Sequence, residues 1–157
     1  MNVVVNSTSL IGLCQIGQLR LLEALFGEIH ISAEVYFEVA EKGKDKIGAE
    51  DIKNAHWIKR KEVKNPLAVS MLMARLDPGE AETIVLAIEI GADILVLDER
   101  YAREIAEEKG LTVIGTVALL KRAKEKGLIS DLKKSLDQLR TAGFRLSDDI
   151  YNACLKD

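Results

Sequence analysis

The sequence predicts an α/β fold, a three-layer α/β/α sandwich around a central parallel sheet, in a single domain spanning residues 1–157. Three observations carry that expectation. Short apolar runs without polar alternation, such as Val3-Val4-Val5 and Ile94-Leu95-Val96-Leu97, suit parallel strands buried on both faces. Helical stretches separate these runs along the whole chain, which is the pattern of crossover connections. The stretch Leu76-Asp77-Pro78-Gly79-Glu80-Ala81-Glu82 and the run to Asp98 then give one well-bounded helix–strand unit. Asp77 and Pro78 read as N-cap and first helical residue, and Gly91 as the residue closing the helix. Ala81, Ile84, Val85 and Ile88 form its expected buried stripe.

Taken in order, a strand over Val3–Val5 ends at Asn6, and the hydroxyls of Ser7-Thr8-Ser9 are expected to cap a helix from Leu10 to Ile16. Gly17 breaks it, a second helix covers about Leu19 to Phe26, and Gly27 leads into a strand at Ile29-His30-Ile31. Ser32 caps a helix through Ala40, striped by Val35, Tyr36 and Val39. A charged connection from Gly43 to Ala49 precedes a short helix to Ala55. Trp57 to Val63 reads as an edge strand whose lysines and arginine discourage further pairing. Asn65-Pro66 starts a helix through Ala74. Beyond Asp98 come a helix from Glu99 to Lys109, a strand at Leu111–Ile114, and a helix from Gly115-Thr116 to Lys126. Ser130 starts a helix to Ala142, and a last helix covers Asp148 to Leu155.

Composition excludes several classes of function. Apolar residues make up 48% and charged residues 30%, as in a globular chain with no low-complexity tail. A net charge of −3 argues against a bulk basic nucleic-acid binder, although Lys59-Arg60-Lys61 and Lys121-Arg122-Ala123-Lys124 are local basic clusters. The N-terminus has no signal-peptide pattern, no run is long enough to span a membrane, and the two cysteines read as free thiols of a cytoplasmic protein. Glycine-rich phosphate loops and nucleophile elbows are missing, and His30 and His56 lack zinc spacing. What remains is carboxylate and hydroxyl chemistry, which suits the hard cations Mg2+ or Mn2+. Asn6, Asp98 and Thr116 lie at or just past strand ends, where open parallel sheets bind ligands.

Strand-Asn6-Ser7-Thr8, Glu38 within Val35-Tyr36-Phe37-Glu38-Val39, Gly79-Glu80-Ala81-Glu82-Thr83-Ile84 and Leu95-Val96-Leu97-Asp98-Glu99-Arg100 together resemble PIN-domain nucleases. The similarity is closer to small prokaryotic members related to VapC-type toxins. It covers nearly the whole chain, including Gly115-Thr116 and Gly143-Phe144-Arg145-Leu146-Ser147. It implies a metal-dependent endoribonuclease, with RNA as substrate and an antitoxin protein as partner. Glu38, Glu80 and Asp98 match the family's acidic cluster. Asn6 stands where the family has its first acid, keeping a carbonyl oxygen for a metal but one charge fewer. The alternative function is a catalytically weakened PIN-like module that binds RNA or protein. A receiver-like phosphotransfer domain is a poorer match, because strand one ends without an acidic pair.

Each candidate also has an ordinary structural explanation. Glu80 has the spacing of a capping box with Asp77, which would leave Glu82 as the acid facing the site. Glu38 lies between Glu34 and Glu41 on a charged helix face, and Asp98 is placed to cap the helix starting at Glu99. Ser7 and Thr8 are expected to cap first and touch phosphate second, with Thr116 in support. Parallel topology is expected to bring Glu38 and Asp98 into one metal shell. The apolar run Leu67–Leu76, with Met71 and Met73, adds the expectation of a homodimer.

Overall fold

The computed structural model describes residues 1–43 and 46–156. Part of the expected Gly43–Ala49 connection lies outside the described residues. The elements are β1 (Val3–Val5), α1 (Ser7–Gln15), α2 (Leu21–Phe26), β2 (Ile29–Ser32) and α3 (Ala33–Tyr36), which continues as a π turn over Phe37–Glu41. Then follow α4 (Ala49–Asn54), β3 (Ile58–Lys61), α5 (Pro66–Leu72), α6 (Pro78–Glu89), β4 (Ile94–Val96) and α7 (Arg100–Glu108). The chain closes with β5 (Val113–Ile114), α8 (Thr116–Glu125), α9 (Leu132–Thr141) and α10 (Asp148–Leu155).

All strand pairs are parallel, and the order is β3-β2-β1-β4-β5. β1 is central, with Val3, Val4 and Val5 in register with Ile94, Leu95 and Val96. Alternation of side chains along a strand divides the core into two layers. Val3, Val5, Ile94 and Val96 pack with α1, α2, α3, α8 and α9, whereas Val4, Leu95 and Leu97 pack with α6 and α7. The chain leaves β1 toward β2 on one side, and β4 returns on the other. The β1/β4 junction is therefore the topological switch point, and the crevice beyond its carboxyl ends is where such sheets take ligands. Among the described residues no helix is long and apolar enough to cross a membrane.

Four local expectations are corrected. α1 begins at Ser7, and Asn6 occupies the N-cap position without a side-chain capping bond, its Oδ1 accepting from the Thr83 hydroxyl instead. The cap of α9 is Asp131 instead of Ser130, since its carboxylate reaches the Lys134 N–H at 3.0 Å. Ile88 is 49% exposed and leaves the buried stripe of α6, where Leu86 and Ala87 are buried in its stead. The helix after Ser32 changes from α to π at Phe37, and the wider turn shifts the register of every residue from there to Glu41.

Candidate active site

The site is built on the first turn of α1, which leaves the end of β1 at the switch point. Asn6 is 4% exposed, and its Oδ1 accepts a hydrogen bond from the Thr83 hydroxyl of α6 at 3.1 Å. Ser7 donates to Glu38 Oε2 at 3.3 Å. Ser9 lies 2.7 Å from the Thr116 hydroxyl, which itself lies 2.7 Å from Asp98 Oδ2. Thr116 has a single hydroxyl proton and a carboxylate has none to give, so Thr116 donates to Asp98 and accepts from Ser9. The backbone N–H of Thr116 donates to Asp98 Oδ1 at 2.7 Å. Both oxygens of Asp98 are thus fixed by one residue at the start of α8.

Residues two apart on a helix point roughly 200° from each other. Ser7 and Ser9 therefore reach to opposite sides of α1, one toward Glu38 and the other toward Asp98. Consistent with that separation, no three His, Cys, Asp or Glu side chains among the described residues converge closely enough to hold a metal ion. The first turn of α1 links the two sides, through Ser7 to Glu38 and through Ser9 and Thr116 to Asp98.

Glu38 owes its position to the π turn. In a continuous α-helix, Glu34, Glu38 and Glu41 would share one solvated face. The wider turn over Phe37–Glu41, closed by Lys42 N–H to the Phe37 carbonyl at 2.7 Å, breaks that register. Glu38 then turns in toward α1 and α6. Its Oε1 is buried without a hydrogen-bond partner, and a Cβ at Gly79 would overlap that oxygen. Burial, then the charge of Asp77, raises its pKa above the ordinary carboxylate value.

Glu80 does form the capping box. Its N–H donates to Asp77 Oδ1 at 2.8 Å, and its Oε1 accepts from the Asp77 N–H at 3.3 Å. Burial first, then the negative charges of Asp77 and Glu99, push its pKa up to about 7. Burial likewise raises Asp98, against the hydrogen bonds from Thr116 and the charge of Arg103. Gly115 leaves room beside this carboxylate, for a Cβ there would lie 3.0 Å from Asp98 Oδ1. The expected capping of α7 by Asp98 is corrected. Glu99 caps that helix, accepting from the Ala102 N–H at 2.8 Å.

Glu82, the other acid of this turn, has a structural partner. Its Oε1 accepts from the Glu34 N–H at 2.9 Å, so it ties α6 to the first turn of α3. Ser7 and Thr8 are not the caps of α1; Ser7 serves Glu38, and Thr8 is exposed. Sequence reasoning missed three participants: Thr83, Ser9, and Asp77, whose charge reaches both Glu38 and Glu80. The one local signal was on α6, where Gly79 and Thr83 are four apart and share a face.

Uncompensated acids make stability fall with pH. Glu80 ionises near 7 when folded and near the ordinary 4.5 when unfolded. Folding thus takes up a proton between those values, and the contribution of this group declines as pH rises through that window. Glu80→Gln keeps an oxygen for the Asp77 N–H and removes the charge. Thermal melts at pH 5 and pH 8 should show a flatter pH dependence for Glu80→Gln than for the parent chain. At pH 8 its Tm should be higher by roughly 2–4 °C. An unchanged pH slope would mean that Glu80 titrates as an ordinary exposed acid.

A family model described as a PIN domain matches residues 2–157. No curated protein matches the chain.

Proposed function

The chain belongs to the PIN-domain family, whose members are typically nucleases, and from that premise we propose that it is a Mg2+- or Mn2+-dependent endoribonuclease that hydrolyses RNA phosphodiesters. The observation that carries this reading is Glu38, a half-buried acid held at the switch point with one oxygen unpartnered and no neutralising cation bonded to it. Native structures rarely leave a buried carboxylate oxygen unpaired, and a site that does so is suited to an incoming cation.

The donors offered are all oxygen, as a hard divalent ion prefers, namely the carboxylates of Glu38, Glu80 and Asp98 and the carbonyl of Asn6, although no three of the acids converge into a preformed shell among the described residues. A bound Mg2+ or Mn2+ supplies an activated water and neutralises charge on the phosphodiester oxygens. The chain's own residues orient these donors. Ser7 fixes Glu38 from α1, Thr116 fixes both oxygens of Asp98, and Thr83 fixes the carbonyl of Asn6. Gly79 and Gly115 let two of the acids lie against backbone. Pairing of two copies through α5, where Leu67 and Met71 are both 69% exposed, and capture by an antitoxin protein belong to the same proposal.

The test is cleavage of a labelled single-stranded RNA by the purified chain in Mn2+, Mg2+ or EDTA. Cleavage with either ion and none in EDTA is expected. RNA bound but uncut in every buffer would favour the binding-module reading instead, to which Asn6 in place of an acid points.

A further inference from the structure

A groove of about 560 Å3 runs off the Glu38 end of the site, between α1, the π turn and α4. Its walls differ from the acidic side chains beside it. Ile11 and Ile47 are 40% and 75% exposed, and with Val39 they give the groove an apolar surface. Lys42 and Lys46 also line the groove, and the charge of Lys42 reaches Glu38 at its end. Glu38 lines the groove as well and so joins it to the site.

We infer that this groove holds the nucleotide next to the scissile phosphate of a single-stranded RNA, its base on Ile11 and Ile47 and its phosphate on Lys42 and Lys46. The inference rests on the ribonuclease reading. Charge favours this occupant. Glu38, Glu80, Asp98, Asp77 and Glu99 would repel an anionic polymer, so a strand approaching the site needs cations at its flank. Among the described residues, Lys42 and Lys46 are the lysines that line the groove with Glu38. An apolar wall beneath them suits the face of a base, because unpaired bases leave water on meeting apolar side chains. In a duplex those faces are stacked on one another, so the groove should select single strands.

The experiment measures binding of a fluorescein-labelled single-stranded RNA, and of its duplex, to the full chain by anisotropy in EDTA at several salt concentrations. Lys42→Ala/Lys46→Ala should weaken single-strand binding and reduce the slope of log affinity against log salt by about 0.7 for each phosphate that a lysine no longer neutralises. Ile47→Asp should weaken single-strand binding and leave duplex binding as it was. Both variants retain Glu38, Glu80 and Asp98, so both should keep the Mn2+-induced rise in Tm of the parent chain. Wild-type binding of RNA with slope and affinity unchanged in both variants would overturn the groove and leave the ribonuclease reading standing. Failure of the wild-type chain to bind RNA at all would overturn both.

Discussion

If the chain is the proposed metal-dependent ribonuclease, Asp98→Asn should lower RNA cleavage on the order of 10²–10³-fold while the fold is kept. The retention of structure follows from the hydrogen bonds. Asn has the shape of Asp, its carbonyl accepts from the Thr116 N–H, and its amide faces the Thr116 hydroxyl where Oδ2 stood. Thr116 then accepts from that amide and donates to Ser9, reversing the small chain of hydroxyls without breaking it. Burial disfavours the charged form of Asp98 in the folded chain. Removing that charge should leave Tm at pH 8 equal or raised, and thermal melts beside the cleavage assay check this. Abolished activity with lowered Tm would instead assign Asp98 to holding α8 against β4.

Asn6→Asp should act in the opposite direction. The Thr83 hydroxyl donates to an aspartate as readily as to the asparagine carbonyl, so the side chain keeps its position. The substitution puts a new charge in a site that already disfavours ionised acids. Without divalent ions, Tm at pH 8 should therefore fall. With Mn2+, one more unit charge ~4 Å from the divalent ion contributes ~8 kcal/mol of gross attraction at an effective dielectric near 20. Solvation cancels most of this, leaving a gain in Mn2+ affinity of about tenfold, or ~1.4 kcal/mol. Calorimetric titration of both proteins with Mn2+, together with RNA cleavage, measures the effect. Equal affinities would place the metal away from the β1 end. Capping does not complicate the comparison, because the Asn6 side chain makes no capping bond to α1.

The sheet and its edges were legible because the signals are local. Asp77-Pro78 starts α6 and the capping box with Glu80 forms as its spacing implies; Ser32 caps α3 by accepting from the Val35 N–H at 3.1 Å. The apolar runs at Val3 and Ile94 became neighbouring central strands, which placed Asn6 and Asp98 at one edge. What the residues did not show depends on long-range partners. Thr83 meets Asn6 across 77 positions and Thr116 meets Ser9 across 107, and beyond the shared face of Gly79 and Thr83 no local pattern marks either pairing. The π turn was hidden for a different reason. Glu34, Glu38 and Glu41 have helical spacing, and only packing against Ser7 and Gly79 shows that Glu38 departs from that face. That Ser7 reaches Glu38 while Ser9 reaches Thr116 likewise follows from where α1 begins, one turn earlier than its apolar residues suggest.

The most direct test of the site is a Mg2+ titration of the isotope-labelled chain followed by NMR. If the acids at the β1/β4 switch point are a metal centre, saturable shifts should gather at residues 6, 38, 79–80, 98 and 115–116. Those shifts should vanish in Glu38→Gln. Shifts scattered over exposed carboxylates such as Asp148 and Asp149, unsaturated at millimolar Mg2+ and unchanged in Glu38→Gln, would contradict a metal centre at the switch point.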